Sequence, residues 1–314
     1  MHKIIDSIQA QIAEAEIEFK NLEAAIFSYT ANASQVERID NLETGKATYC
    51  LVNVTQPPLS IVTQIKKVAD HLRPPLDYLV SYWAKQAKEL NHKDTDKNPS
   101  FPICISEKKW NQNIRRIKGL SEVQSNAILA LQPFKQSSEL EIGNHPLTLL
   151  QELSNCTKHT PFLYVQTTAV QGGNHYVQGH GVRLFQTYTA PFENGAVIAS
   201  LVPDRLDSNI SQFRVWGNGG FGSGAITTPT NATNEEIINL FKVAESGSGR
   251  WPQKEWDTYF QNLQLQLEII HTIMFGKGTE TLENKPVLEV LEKILRHLQE
   301  NIFQQNGILK MLSE

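Results

Sequence analysis

Apolar residues recur at intervals of three and four over the first 30 positions, with acidic residues between them. The stripe consists of Ile4, Ile5, Ile8, Ile12, Ala15, Phe19, Leu22 and Ile26. This spacing predicts one amphipathic helix from about His2 to Tyr29. Residues 36–54 are typical of a β-hairpin, because Thr44-Gly45 separates two runs and the β-forming residues Thr48, Tyr49, Val52 and Val54 follow it.

Two proline pairs divide the next part of the chain. Pro57-Pro58 ends the hairpin and can open a helix, since proline is tolerated in a first helical turn. Pro74-Pro75 removes two amide donors and clashes with carbonyls one turn earlier, so the helix that precedes it should break there. We expect a second helix from about Pro75 to Leu90, and further helices near 107–116, 121–131 and 145–157.

The period of the pattern changes after His159. The following segments are rich in β-branched and aromatic residues and predict an antiparallel sheet of four or five strands: 162–171, 175–189, 196–202 and 212–216. Helical spacing returns at Asn234 and predicts helices to about Val243, over 253–275 and over 286–311.

The predicted fold class is therefore α+β, with mainly helical N-terminal and C-terminal parts around a central antiparallel β region. We divide the chain into a helical domain with a hairpin (1–160), a β region (161–231) and C-terminal helices that pack back on the helical part (232–314).

Composition narrows the class of protein. The chain has 314 residues, 40% hydrophobic and 20% charged, which is typical of a globular protein. Three cysteines are too few for a disulfide framework or a four-cysteine zinc site. No apolar run approaches the length of a membrane span, and acidic residues interrupt the N-terminal stretch that a signal peptide would need. We expect a cytoplasmic protein without membrane association, metal or cofactor.

Charge is unevenly distributed along the chain. The formal net charge is −4, yet residues 66–118 hold twelve basic and six acidic residues. Clustered Lys and Arg are typical of a surface that binds nucleic-acid phosphates. The other interpretation, which the modest overall charge favours, is a solvated helix face and loop that carry Lys85, Lys88, Lys93 and Lys97.

A group of polar residues surrounds the predicted helix break. The segment 71–78 contains His71, Arg73, Asp77 and Tyr78. Arg73 and Asp77 are four residues apart, so they would face one another on a continuous helix. Either Arg73 binds a phosphate in bidentate fashion beside an orienting Asp77, or the two form an ion pair that ties the break to a neighbouring helix.

A second polar group closes the helix before the β region. Asn155, Lys158 and His159 lie at this end, where Lys and His complement the negative end of the helix dipole. The functional interpretation makes His159 a general acid or base and Lys158 an anchor for an anion.

Two other motifs favour structural roles. His175 and His180 are five residues apart, which places them on opposite faces of a regular strand and prevents a shared metal unless Gly179 forms a bulge. The glycine-rich segment 217–224 lacks the Lys-Ser/Thr of a phosphate loop and is typical of a strand connection.

The order of several short motifs resembles a family of uncharacterised bacterial proteins, over roughly residues 1–165. The motifs are Leu72-Arg73-Pro74-Pro75-Leu76-Asp77-Tyr78-Leu79, Phe101-Pro102-Ile103, Gly119-Leu120-Ser121 with Leu131-Gln132-Pro133-Phe134, and Leu153-Ser154-Asn155-Cys156-Thr157-Lys158-His159-Thr160. The first of them corresponds to an Arg-x4-His core that is similar to the signature of HEPN-type helical domains. Many HEPN domains are metal-independent ribonucleases of toxin or phage-defence systems, in which the Arg and His act on the scissile phosphate and the attacking ribose hydroxyl.

The resemblance implies an HEPN-like bacterial protein of a defence or stress system that binds RNA or nucleotide phosphate, either as a binding protein or as a degenerate ribonuclease. The resemblance implies a catalytic role for Arg73. His159 or His71 would have to take the place of the missing histidine in space, and we assign the catalytic role to His159 and substrate contacts to His71, Asp77, Tyr78, Asn155 and Lys158. This chain departs from the pattern because Tyr78 stands at the histidine position, and a phenol is a poor base at neutral pH.

The alternative is a non-catalytic interaction or scaffold protein. Its surface would be the β region and the last helix, whose apolar face also suits homodimerisation. That face consists of Val287, Leu288, Val290, Leu291, Ile294, Leu295, Leu298 and Ile302. Whether the chain is an enzyme stays open at this point.

Overall fold

The computed structural model describes residues 2–41, 46–89, 99–159, 163–178, 182–186, 189–190, 192–203, 212–216, 264–277 and 281–303. The chain divides into two compact units. Unit 1 comprises Met1–Ser28, Pro57–Gln166 and Ile273–Glu314, and unit 2 comprises Tyr29–Gln56 and Thr167–Thr272. Each unit therefore combines segments that are far apart in sequence, whereas the sequence-based segments 1–160, 161–231 and 232–314 are contiguous.

Most helices belong to unit 1. Helix α1 (His2–Thr30) confirms the first predicted helix, and its apolar stripe is buried from Ile8 to Ile26. Helix α2 (Leu59–Leu72) begins after Pro58, and only Arg73 separates it from helix α3 (Pro74–Glu89). The predicted break at the second proline pair is thus confirmed.

Shorter helices follow in chain order. They are α4 (Glu107–Asn113) with a 3-10 turn (Ile114–Ile117), α5 (Glu122–Ala130), a 3-10 turn (Pro133–Lys135), α6 (Glu139–Asn144) and α7 (Pro146–His159). Ser106, Ser121 and Ser138 are N-caps whose side chains accept a backbone N–H three residues later. Helix α6 was not predicted, because six residues are too few to show a helical period.

The last helix that the structure describes lies in the core of unit 1. Helix α8 (Val287–Leu298) continues into a π-helical turn (Gln299–Phe303) and packs against α7 and α2. Its apolar face is buried at Val287, Val290, Leu291, Ile294, Leu295 and Leu298, whereas Leu288 is partly exposed. The apolar face that the sequence analysis considered suitable for homodimerisation therefore packs against other helices of the same chain.

Unit 2 contains two sheets rather than one. In the first, β1 (Gln35–Asn41) and β2 (Lys46–Val52) form the predicted hairpin, and β6 (Val197–Pro203) and β4 (Val182–Gln186) extend it in the order β1-β2-β6-β4. All three of these pairings are antiparallel. The predicted turn Thr44-Gly45 lies outside the described residues.

The second sheet is built around β3 (Val165–Gln178). This strand pairs with β5 (Thr189–Ala190) and β7 (Gln212–Trp216), both antiparallel, and also with β8 (Gln264–Phe275). Strand β3 thus covers most of the predicted strand 162–171 and the beginning of 175–189, and the later part of 175–189 contains β4 and the start of β5. Together the helices and the antiparallel sheets confirm the α+β class.

The helix predicted over 253–275 is wrong where the structure describes it. Residues 264–275 form β8, because Leu265, Leu267 and Ile269 alternate with polar residues at the period of a strand. The misleading signal is Leu265, Ile269 and Ile273, which also satisfy a spacing of four. The helix predicted near 234–243, His180 and the glycine-rich segment 217–224 lie outside the described residues.

None of the described helices combines the length and the hydrophobicity needed to cross a lipid bilayer.

Candidate functional site

Arg73 lies at the bend between α2 and α3 and is buried, with 9% of its surface exposed. Its Nε and Nη2 donate to the two carboxylate oxygens of Asp77 at 3.3 and 3.2 Å, a bidentate pair. Nη2 also donates to the Phe101 carbonyl at 2.7 Å, and Nη1 donates to Oε1 of Gln151 at 3.3 Å. The guanidinium therefore connects the helix break to two other parts of unit 1.

Asp77 binds the other backbone group of Phe101. Its Oδ1 accepts the backbone N–H of Phe101 at 2.9 Å, and the Phe101 ring is fully buried. Four of the five N–H groups of Arg73 are therefore engaged, and one is left without a partner among the described residues. One N–H cannot bind a phosphate in bidentate fashion, so the geometry favours the structural interpretation of Arg73 and Asp77.

Gln151 extends the network along α7. Its Nε2 donates to Oδ1 of Asn155 at 2.8 Å, so hydrogen bonds link Asn155 to Arg73 through Gln151. Lys158 and His159 belong to the last turn of α7, but their side chains lie outside the described part of the chain. The sequence analysis missed Gln151, although its spacing of four from Asn155 on one helix was a usable signal.

His71 and Tyr78 have different surroundings from Arg73. The Nδ1 of His71 is 3.0 Å from Oε1 of Gln11 on α1, within hydrogen-bond distance. Tyr78 is 40% exposed on α3. Of the seven predicted site residues, the structure joins Arg73, Asp77 and Asn155 in one network and does not join His71 to it.

A second buried amide holds the segment that follows Phe101. The Nε2 of Gln132 donates to the carbonyls of Pro102 and Ile128, each at 3.0 Å, and its Oε1 accepts the N–H of Cys104 at 2.9 Å. Gln132 is fully buried, so these bonds replace all the water that its amide would otherwise bind. A structural role therefore accounts for two of the sequence motifs, Phe101-Pro102-Ile103 and Leu131-Gln132-Pro133-Phe134.

Five exposed cations lie on α4, on the 3-10 turn after it and at the residue that follows this turn. Lys108, Lys109, Arg115, Arg116 and Lys118 are all exposed, whereas Trp110 and Ile117 are buried and anchor the segment. We call these five cations the basic surface. None of the ion pairs formed within the described ranges engages Lys108, Lys109, Arg115 or Arg116.

A histidine pair that the sequence analysis did not single out lies beside an open cleft of about 340 Å³. The rings of His145 and His297 are 5.1 Å apart and nearly perpendicular. Burial, followed by the positive charges of His297 and Lys293, lowers the pKa of His145 to about 4. Nδ1 of His145 accepts the N–H of Leu147 at 3.2 Å, so the uncharged ring caps the start of α7.

The described residues include three cysteines and several residue types that can bind metal ions. Cys50, Cys104 and Cys156 are buried and form no disulfide, and burial raises the pKa of the Cys50 and Cys104 thiols. Within the described ranges, no group of three or more His, Cys, Asp or Glu residues could hold a metal ion.

No protein-family model, curated protein or solved structure matches this chain.

Proposed function

We propose that this protein is an HEPN-like RNA-binding protein that contacts RNA phosphates through the basic surface. The observation that carries the proposal is the exposure of five cations within eleven residues, 108–118, of a chain whose net charge is −4. A local positive field on a chain of negative net charge attracts polyanions at that face.

The anchoring of the segment supports binding by a preformed surface. Trp110 is buried and stacks at a tilt against Phe134, with ring centroids 6.3 Å apart. Ser106 caps α4 by accepting the N–H of Lys109. Because the backbone is held in this way, the cations lose little backbone entropy when they bind phosphates.

The surroundings of Arg73 favour binding over catalysis. A ribonuclease of the HEPN type would use this arginine on the scissile phosphate, whereas four of its five N–H groups are occupied by Asp77, Phe101 and Gln151. The scaffold alternative is less favoured, because the apolar face of α8 is covered by α7 and α2.

The test is RNA binding by the full chain, measured by fluorescence anisotropy with a labelled single-stranded RNA. If four phosphates are contacted, the affinity should fall on the order of 50-fold between about 50 and 200 mM salt. The variant K108Q/K109Q/R115Q/R116Q should lose most of the binding. The matched control, K20Q/K66Q/K67Q/K85Q, removes the same charge from exposed lysines elsewhere and should retain it.

Four results would overturn parts of the proposal. Absence of binding at about 50 mM salt, or equal loss in the two variants, contradicts the basic surface as the site. Equal affinity for DNA of the same sequence contradicts selectivity for RNA. Cleavage of the labelled RNA that disappears in Arg73→Lys would restore the ribonuclease interpretation.

A further inference from the structure

Unit 2 brings together a serine and a histidine that are 237 residues apart in sequence. Ser34 directly precedes β1, and His271 lies on β8. The Oγ of Ser34 is 2.7 Å from Nε2 of His271. This distance falls within the range over which a histidine activates a serine nucleophile.

The imidazole is held by two further groups. Its ring meets the Phe192 ring edge to face, with centroids 5.5 Å apart and an interplanar angle of 77°. A hydrogen bond to the Thr30 backbone raises the pKa of His271. Such an effect requires an acceptor, which on the Thr30 backbone is the carbonyl oxygen, and the tautomer whose Nδ1 carries the proton leaves Nε2 able to accept the serine proton.

The protonation state of His271 suits a general base. Burial lowers the pKa of His271 and outweighs the hydrogen bond to Thr30, so the ring is neutral at pH 7. Both Ser34 and His271 are half-buried rather than sealed in the core. Each of the two residues therefore keeps part of its surface exposed.

The loop that carries Ser34 is fixed. The N–H and the hydroxyl of Thr55 both donate to the Ala33 carbonyl, at 2.9 and 3.3 Å, and Ala33 is fully buried. The Tyr29 hydroxyl donates to the Thr55 carbonyl at 2.7 Å. Ser34 is therefore positioned before any substrate arrives, which is what an activated nucleophile requires.

We propose that Ser34 and His271 form a nucleophile–base dyad that hydrolyses small, uncharged acyl esters, with the Thr30 carbonyl orienting the imidazole. A backbone carbonyl takes the place that a carboxylate occupies in a Ser-His-Asp triad. The Phe192 ring forms an apolar wall beside the imidazole, which suits an uncharged acyl group.

The reaction needs only the ester and water. The Ser34 oxygen bonds to the acyl carbon while Nε2 of His271 takes the hydroxyl proton, and the proton then passes to the departing alcohol as its C–O bond breaks. Water adds to the resulting serine ester in the same way, with its proton taken by His271 and delivered to the Ser34 oxygen. The products are an alcohol, a carboxylic acid and the free serine.

The experiment uses the full chain with a fluorophosphonate probe and with p-nitrophenyl acetate. We expect covalent labelling that peptide mapping places on Ser34, and ester hydrolysis that falls about 100-fold or more in Ser34→Ala and in His271→Gln. Ser28→Ala is the matched control, since Ser28 is exposed and lies six residues earlier. It should retain both activities.

Peptide mapping of the unmodified protein tests the proposal even if a variant fails to fold. An adduct on Ser34 supports the dyad. Absence of labelling, an adduct on another residue, or full activity in a folded Ser34→Ala protein would show that the hydrogen bond between Ser34 and His271 is only structural.

Discussion

Arg73 and Asp77 hold both backbone groups of Phe101: the guanidinium donates to its carbonyl at 2.7 Å, and the carboxylate accepts its N–H at 2.9 Å. Arg73 keeps helical angles (φ −80°, ψ −46°) although it precedes Pro74, a position where helical angles are disfavoured. The bidentate pair with Asp77 spans the break and stabilises this conformation. The helix break is therefore also the anchor of the segment that begins at Phe101.

Removal of Arg73 should destabilise unit 1 strongly. Arg73→Ala leaves the Phe101 carbonyl without its side-chain donor and the Asp77 carboxylate with only the Phe101 N–H, so we expect a loss of about 3 kcal/mol in the free energy of unfolding. The matched control is Arg296→Ala, which removes an exposed pair with Glu292 of the same spacing and should cost about 1 kcal/mol or less. Urea denaturation measures both, and equal losses would contradict the structural role of Arg73.

Gln132 should be equally intolerant of change. Gln132→Ala leaves the Cys104 N–H and two carbonyls unpaired in the core, which should cost about 2–3 kcal/mol. Gln132→Glu should also destabilise, because a carboxylate oxygen would face the Pro102 and Ile128 carbonyls. Gln112→Ala, at an exposed position, should change the stability by less than about 0.5 kcal/mol in the same urea titration. A near-neutral Gln132→Ala would show that water can replace the amide.

His145 should make folding sensitive to acid. Its pKa is about 4 in the folded chain, below the ordinary value of 6.5. The unfolded chain therefore binds more protons between these two values, and stability falls as the pH drops from about 6.5 to 4. Each extra proton contributes a slope of at most about 1.4 kcal/mol per pH unit.

His145→Asn separates titration from capping, because an Asn oxygen can still accept the Leu147 N–H at the start of α7. We expect this variant to show a smaller loss of urea resistance between pH 7 and pH 4 than the unmodified protein. His297 will still titrate, since burial and Lys293 lower its pKa as well. An unchanged pH dependence would contradict the assignment to His145.

Gly276 should not tolerate a side chain. A Cβ at this position would overlap the Tyr164 ring, and the Gly276 N–H donates to the Tyr164 carbonyl at 2.9 Å, which prevents the two segments from separating. Gly276→Ala should therefore cost about 1–3 kcal/mol. In a double-mutant cycle, Tyr164→Ala should remove most of that cost, whereas additive losses would place the strain elsewhere.

Local sequence patterns were sufficient to predict several elements of the fold. The spacing of Ile8, Ile12, Phe19 and Leu22 determined α1, and the prolines determined where α2 ends and α3 begins. The spacing of four also placed Arg73 beside Asp77. These features depend on neighbours within one or two helical turns, so the sequence by itself specifies them.

Features that depend on distant partners were decided by the tertiary structure. Residues 264–275 fit both a helical and a strand pattern, and pairing with β3 made them a strand. The sequence could not show that the Arg73 guanidinium would donate hydrogen bonds to Phe101 and Gln151, or that Ser34 would lie within hydrogen-bond distance of His271. Such contacts join residues that are far apart in the chain. Tertiary packing determines which polar groups are removed from water, and those groups must then form hydrogen bonds with one another.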